Sequence, residues 1–484
     1  MYFNVKNLLQ ETKEWNNHKT PLYKRIYNSF KYLIINKAIP NNTQLPPTRV
    51  LADDLGISRS TVLKAFDLLS FERFIISKKG AGVFVNYNQT KKRLSDVHST
   101  IYKYPAISKR ANHFLKNVYL NTDTFSKNNV AFRPGLPPLD IFPIHQWKQI
   151  SNTYWREATP TNLSYAPTEG LDKLRVNIMN YLRIYRNINC DYQQIIITSG
   201  SLHSLYLIGN SLLNKGDTII MENPTFPRAY YLFKSLKANI IPCGIDSKGI
   251  NIDSMKHQQV KFIYTTPSNQ YPLGIKMSKD RRKELLDWIS KNNSLIIEDD
   301  YDHEFSNWEH PISSLFSLDS ENRVIYTGTF NKLLHPSLRI GYMVVPRYLI
   351  APIKSIYEQS SRFVSVHLQE NLNEFILKDY LNKHIRNVII ASKNRKKIFS
   401  KLTRSFLDID TSFEGLHLIG KIKTTNKSDH LIHEELLTKN VVAYPLSNYY
   451  ITKKKKEGLV LGYSSVNEKV MREKITIMSE LFNP

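Results

Sequence analysis

Four polar segments, each following a short apolar run, hold the side chains with the most chemical potential. SGSLHS at 199–204 joins a strand-like run to a helical one, so Ser199, Gly200 and Ser201 can set hydroxyls and orphan backbone N–H groups around a phosphate. Gly and Ser also populate ordinary strand–helix turns, so this segment alone is a weak signal. PSNQYPLG at 267–274 is a second such turn. EDDYDHEF at 298–305 puts Asp299, Asp300 and Tyr301 at the end of an apolar run, where open α/β sheets bind ligands. A magnesium ion is the competing reading of the paired aspartates. TGTFNKLLHPSLRIGY at 327–342 places one lysine, Lys332, between a hydroxyl-rich turn and Arg339. In this order, a phosphate cradle, a carboxylate and a lysine can hold a phosphorylated aromatic aldehyde. The carboxylate would keep a pyridine nitrogen protonated and the lysine would condense with the aldehyde, which are the requirements of pyridoxal 5′-phosphate chemistry.

Such groups converge only if a scaffold aligns them. From about residue 131 the runs QIIITS, DTIIME, VKFIYTT, SLIIEDD and RVIYTGT read as buried strands, with helical stretches such as GSLHSLYLIGNSLLNKG and RRKELLDWIS between them. Continuous Ile/Val runs separated by helices predict an α/β fold with a mostly parallel sheet covered on both faces. The final third, with VVAYP and LVLGY, reads as a smaller domain returning to that sheet, and Lys453–Lys456 as a solvated turn.

The N-terminal part has a different pattern. Residues 21–39 form a helix opened by Pro21, with Leu22, Ile26, Phe30 and Leu33 or Ile34 as one apolar stripe. Gly56 ends a second, short helix. Ser58 caps a third, from about Arg59 to Ser70, with Val62, Phe66 and Leu69 on its inner face. The hairpin IISKKGAGVFV comes next. A short helix, a Gly turn and a basic, hydroxyl-rich helix suggest a helix-turn-helix, and the Lys-Lys-Gly turn suits a wing touching phosphates. Periodicity alone equally fits a small helical protein–protein module.

Charge supports the division. The chain has 484 residues and a formal net charge of +25, and residues 1–130 carry 21 Lys or Arg against 8 Asp or Glu. A polyanionic partner is expected. Two cysteines are too few for a disulfide framework. No signal-peptide pattern and no run of about 20 apolar residues is present, so a cytoplasmic protein without a membrane partner is expected.

Residues 21–85 resemble the winged helix-turn-helix of the GntR superfamily through Leu45-Pro46, Arg49, Leu51-Ala52, Leu55-Gly56-Ile57-Ser58-Arg59, Thr61-Val62 and Gly80. Residues 131–484 resemble the fold-type I, pyridoxal-phosphate-dependent aminotransferase body through TPSNQYPLG, MSKDRRKELLDWI, IIEDDYDHEF and GTFNKLLHPSLRIGY. The two in this order characterise the MocR subfamily of bacterial regulators. The resemblance implies a DNA-binding domain at 15–87, a linker at 88–130 and an effector body at 131–484. Lys332 is then the Schiff-base lysine, Asp299 the partner of the pyridine nitrogen, Tyr301 a neighbour of the phenolic oxygen and Phe226 the stacking ring. Ser199, Gly200, Ser201, Thr329 and Arg339 match the phosphate region, and Arg228 an effector-carboxylate contact. Arg49, Arg59, Ser60, Thr61, Lys64, Lys78 and Lys79 are the candidates for promoter DNA.

The resemblance also implies a homodimer, with each head able to cross to its partner's body. The effector would be an amine, an amino acid or the cofactor itself, and the controlled genes those of vitamin B6, amino-acid or amine metabolism. An aminotransferase with a fused DNA-binding domain is the alternative. There are departures: Asn269 replaces a common His, Asn331 a Ser, and Tyr271 the Asn of catalytic relatives. Val460 stands where aminotransferases place a carboxylate-binding arginine.

Overall fold

The computed structural model describes residues 5–17, 20–78, 80–87, 106–117, 131–255, 259–305, 313–409, 415–423 and 427–482. The chain divides into two compact units, Met1–Ala106 and Ile107–Pro484.

The first unit is a small helical core with a two-stranded wing. Helices α1 (Lys6–Gln10), α2 (Leu22–Ile35), α3 (Thr48–Leu55) and α4 (Arg59–Phe71) precede strands β1 (Ile75–Lys78) and β2 (Gly82–Val85). Ile26, Phe30, Leu33 and Ile34 of α2 are buried as the three- and four-residue spacing predicts, while Leu22 is half-buried. They meet Leu51 of α3 and Val62, Phe66 and Leu69 of α4 in one core, with the Phe30 and Phe66 rings edge to face at 5.6 Å. Gly56 terminates α3 at φ 65°, a left-handed conformation that glycine adopts without a Cβ clash. Two residues on, the Ser58 hydroxyl accepts from the Thr61 N–H at 3.3 Å and starts α4. The strands pair antiparallel, Ile75 opposite Val85 and Lys78 opposite Gly82.

The second unit is built on an eight-stranded sheet: β3 (Ile195–Thr198), β4 (Thr218–Asn223), β5 (Asn239–Asp246), β6 (Gly249–Ile250), β7 (Phe262–Thr265), β8 (Leu295–Asp299), β9 (Val324–Thr329) and β10 (Gly341–Val344). Their order is β3-β10-β9-β8-β7-β4-β5-β6. β9, β8, β7, β4 and β5 are successively parallel, whereas β10 runs antiparallel to both of its neighbours. All five expected strand runs lie in this sheet. Alternate residues feed opposite faces: Ile195 and Ile197 enter the core under the helix Asp172–Arg186, and Ile196 the core under Ser201–Leu212.

A smaller antiparallel sheet, β11 (Leu407–Ile409), β12 (Leu418–Ile422), β13 (Tyr444–Pro445) and β14 (Leu459–Leu461), has the order β11-β12-β14-β13. Helices Tyr380–Thr403 and Glu468–Phe482 cover one side of it. Within the segment read as a linker, Lys109–Lys116 is helical, and it is tied to this second unit by Arg110 to Asn210 Oδ1 at 3.3 Å and His113 to the Lys234 carbonyl at 2.8 Å. Lys453–Lys456 are exposed. Among the described residues no helix is long and apolar enough to cross a membrane.

Candidate functional site

Parallel strands deliver their carboxyl ends to one edge of the sheet, where the backbone stops pairing and side chains become available. Thr198, Asp299 and Thr329 end β3, β8 and β9 there. The antiparallel β10 starts at that same edge, with Gly341 opposite both Thr198 and Thr329. Arg339, two residues before it, is thereby brought beside the turn after β3.

That turn is an anion-type cradle. Gly200 sits at φ 99° as the cap of the twelve-residue helix Ser201–Leu212. A Cβ on Gly200 would meet Asn331 Nδ2 at 3.0 Å and both Arg339 Nη atoms at 3.5 Å, so donors converge on its bare face. The Ser199 N–H is committed to His203 Nδ1 at 3.1 Å, which leaves Ser199 its hydroxyl. Burial, and then the Arg339 charge, push the His203 imidazole down to about 4, so it is neutral and its Nε2–H faces the Ser361 hydroxyl at 3.2 Å. The Thr329 hydroxyl caps the Lys332 turn by accepting from the Asn331 N–H at 3.2 Å and lies 3.4 Å from the Ile340 carbonyl. Both contacts shape the loop.

Lys332 ends that short turn. Its Nζ donates to the Gly135 carbonyl at 2.8 Å, and a Cβ on Gly135 would clash with that nitrogen. Burial lowers the lysine below its ordinary value, while the Asp302 and Asp299 carboxylates act in the opposite sense. Asp299 is buried and accepts from Tyr264 Oη at 2.7 Å and Thr327 Oγ1 at 3.2 Å. Burial pushes it up to about 6 despite those two donors.

The neighbouring Asp300 points elsewhere, to Arg186 Nε at 2.8 Å and Tyr326 Oη at 2.7 Å. Burial would raise it, and Arg186 holds it below the usual carboxylate range. The two aspartates are therefore spent on different partners, and among the described residues no group of His, Cys, Asp and Glu is arranged to hold a metal.

Aromatic rings close the other side. Tyr271 lies edge to face with Phe226 at 5.7 Å and with Tyr301 at 5.6 Å, and it also meets His417 at 5.1 Å and Tyr449 at 5.6 Å. The Tyr301 hydroxyl donates to the Asn269 carbonyl at 2.9 Å, and Asn269 Nδ2 to Asp302 at 2.7 Å. Phe226 caps the helix Pro227–Ser235, whose second residue is the half-buried Arg228. Val460 is fully buried among Tyr444, Leu446 and Tyr449, so it supplies apolar surface and no charge.

These contacts bring Lys332 together with Asp299, and the cradle glycine with Asn331 and Arg339. Gly135, Asp302, Tyr264, Thr327 and His203 join the site without having been expected from the sequence. His203, Asp302 and Thr327 lie in the polar segments already singled out, Gly135 carried a signal as a lone glycine between prolines in RPGLPP, and Tyr264 is one apolar-run residue among others.

The head presents its own surface. Arg49, Arg59, Ser60 and Lys64 are exposed on α3 and the start of α4, and Arg59 Nε lies 3.4 Å from the Thr48 hydroxyl. Thr61 is half-buried, its hydroxyl 2.7 Å from that of Ser58. Lys78 is exposed on the wing with its ammonium 4.7 Å over the Phe84 ring. Lys79 lies outside the described residues.

A helix-turn-helix head followed by an aminotransferase-like body defines a transcriptional regulator built on the scaffold of a cofactor enzyme. Residues 22–85 match the bacterial regulatory proteins of the gntR family, and residues 134–463 match aminotransferase class I and II, a pyridoxal-phosphate-dependent family. The chain is 30% identical over 466 residues to the probable rhizopine catabolism regulatory protein MocR of Rhizobium meliloti, covering 96% of this chain and 94% of that one. It is 25% identical to the pyridoxine biosynthesis regulator PdxR of Corynebacterium glutamicum, over 94% of each. The kynurenine aminotransferase of Pyrococcus horikoshii superposes with a TM-score of 0.67 at 26% identity, covering 78% of this chain and 95% of that one. The chain belongs to the MocR-type regulators of the GntR family, in which a helix-turn-helix is fused to an aminotransferase-like domain.

Proposed function

We propose that the body binds pyridoxal 5′-phosphate at Lys332 and that an amine-bearing effector, or the cofactor itself, acts there to change how the heads of a dimer engage promoter DNA. The controlled genes would be those of vitamin B6, amino-acid or amine metabolism. One observation carries the reading: the buried Lys332 amine feels the buried Asp299 carboxylate and directly follows Asn331, whose amide lines the donor cradle with Arg339.

The residues fit the cofactor. Gly200, Ser201, Asn331 and Arg339 would hold the phosphate, and the Ser199 hydroxyl would add to them. Asp299 would hold the ring nitrogen's proton, which relieves the cost of a buried carboxylate. Phe226 would stack on the ring, and Tyr301 would border its oxygen. When bound, the cofactor supplies an aldehyde that condenses with amines. Gly135 keeps room for the Lys332 arm, and its carbonyl orients the nitrogen by accepting one hydrogen bond from it. Arg49, Arg59, Ser60, Thr61, Lys64, Lys78 and Lys79 would contact DNA, with the charged groups on phosphates and the start of α4 on base edges. An effector can bias the heads only by binding two arrangements of the dimer unequally.

Protein prepared with excess cofactor is expected to show a visible absorbance band that Lys332→Ala abolishes, and to shift its own upstream DNA with an affinity that the cofactor alters. Absence of the band in the unsubstituted protein would remove the assignment. Sustained turnover across amino donors and keto acids would instead favour an aminotransferase with a DNA-binding fusion. The apolar Val460 weighs against that outcome.

A further inference from the structure

We infer that the exposed face of the helix Tyr380–Thr403 is a second, sequence-independent contact surface for duplex DNA, through which the body grips phosphates beyond the half-sites read by the heads. The inference rests on the heads binding promoter DNA, as proposed above, and it gives the body a role that needs no cofactor.

This helix of 24 residues has two unlike sides. Leu381, Ile385 and Val388 enter the core under the large sheet and Phe399 that of the small one, which fixes how the helix is turned. The side left outside carries Lys383, Arg386, Lys393, Lys397 and Lys401, followed by Arg404 at the C-cap, all exposed. At 3.6 residues per turn these side chains fall within an arc of about 80°, and at 1.5 Å per residue they extend over about 31 Å. Ile390, also exposed, separates the first two cations from the last four.

The stripe is of one sign. Between Asp379 and Asp408 the chain holds no Asp or Glu. On the flank of the helix, Arg395 is spent on Asp140 at 2.6 Å and is not part of the stripe. The helix Glu468–Phe482, on the same side of the small sheet, is built the other way: Arg472 meets Glu468 at 2.6 Å and Lys474 meets Glu473 at 3.3 Å. Like charges four residues apart, as Lys393, Lys397 and Lys401 are, repel one another and weaken a helix. A face that only had to be wet could alternate its charges as the neighbouring helix does. An unbroken positive stripe on a rigid rod becomes favourable when an extended polyanion lies along it.

Duplex DNA fits this stripe in length and in charge. It carries one negative charge per about 1.7 Å of its axis, and one turn of it, about 34 Å, matches the length of the stripe. Lysines on flexible stems meet phosphates as point charges without demanding a fixed geometry, and such contacts carry no base sequence. The exposed Asn387 and Asn394 on the same face offer amide donors to the same oxygens. Lipid headgroups and acidic proteins are also anionic, but the heads bring DNA to this molecule. Once they hold it, neighbouring phosphates are presented at the high effective concentration of a tethered ligand, so a weak, non-specific surface is enough.

The test uses full-length protein carrying Lys393→Gln, Lys397→Gln and Lys401→Gln together. The control carries Lys453→Gln, Lys454→Gln and Lys455→Gln, an equal loss of charge from an exposed run elsewhere on the body. Affinity for a long fragment of the gene's own upstream DNA is measured over a range of salt concentrations. The stripe variant is expected to bind at least about tenfold more weakly near physiological salt, with a log–log salt slope shallower by about 2–3 per bound body, while the control matches the unsubstituted protein. In hydroxyl-radical footprints the stripe variant should lose protection beyond the half-sites and keep it within them. Glutamine is a good helix former, so the thermal midpoint should stay equal or rise as the repulsion is relieved. If the midpoint falls instead, the triple Lys→Arg variant at the same positions decides, since it keeps the charge and is expected to bind as the unsubstituted protein does. An unchanged slope and footprint in the stripe variant, or equal losses in stripe variant and control, overturns the inference while the heads remain the DNA-binding modules. Loss of binding to phosphatidylglycerol vesicles with DNA affinity unchanged would assign the stripe to lipid and overturns it as well. An unsubstituted protein that shifts no upstream DNA overturns both readings.

Discussion

Asp299 shows how a single carboxylate can be held against its own solvation. Burial raises it to about 6, and the hydroxyls of Tyr264 and Thr327 recover only part of the cost. Because the folded value lies above the unfolded one, its contribution to stability is complete below about pH 4 and is lost as the pH rises through about 6. Asparagine can keep both partners, accepting from Tyr264 and donating to Thr327, without the charge. Asp299→Asn is therefore expected to stabilise the cofactor-free body at neutral pH by ~1–3 kcal/mol, read as a higher denaturation midpoint. The same substitution should weaken cofactor retention at least about tenfold and flatten the loss of retention expected of the unsubstituted protein as the pH falls below about 6. Lower stability together with unchanged retention would detach Asp299 from the ring nitrogen.

At the scale of elements, α4 owes its start to two residues with different physics. Gly56 lets α3 stop in a left-handed turn, and the Ser58 hydroxyl accepts from the Thr61 N–H in the first turn of α4 while sharing hydrogen bonds with the Ser60 and Thr61 hydroxyls. Ser58→Ala is expected to cost about 1 kcal/mol of head stability. Loss of the cap also frees Thr61 and frays the turn that carries Arg59, so affinity for promoter DNA should fall several-fold more than for Leu63→Ala on the exposed side of the same helix. Equal effects of the two substitutions would count against the start of α4 as the contact surface. In the body, the corresponding element is β10. Its antiparallel course returns Arg339 to the edge where β3 and β9 end.

At the scale of the whole molecule, charge is divided between two tasks. Residues 1–130 hold an excess of 13 positive charges, 21 basic against 8 acidic, whereas the body spreads a similar excess over a much longer chain. Binding to a duplex releases counterions in proportion to the phosphates neutralised. The logarithm of affinity for promoter DNA should therefore fall linearly with the logarithm of salt concentration. Arg59→Gln should make that slope shallower by about 1 per bound head, while Lys453→Gln, in the exposed lysine run of the body, should leave it unchanged. A slope that responds to Lys453 and ignores Arg59 would move the DNA surface to the body.

Much of this was legible in order along the chain because local forces write it there. Hydrophobic periodicity marked α2 and α4, cap chemistry marked Gly56 and Ser58, and continuous apolar runs marked β3, β4, β7, β8 and β9. The polar residues after those strands were legible for the same reason, since a strand interior has no place for them. β5 was overlooked because its apolar run is cut by Pro242 and half-exposed, and β10 because its four residues merge into the preceding loop. Direction was illegible as well: antiparallel pairing is a relation between strands, not a property of one.

The same limit explains the site. Asp299 and Asp300 are adjacent and alike in sequence, yet one meets Tyr264 and Thr327 and the other Arg186, because the last residue of β8 and the extended residue after it face opposite sides. The sequence by itself determined the two modules, the strand ends and the residue types offered there, since those follow from short-range pattern. Tertiary structure alone decided that Gly135 supports Lys332, that Arg186 takes Asp300, and that Arg133 meets Tyr444. Each joins residues distant in the chain or turned by the backbone, and only packing can bring such groups within hydrogen-bond reach.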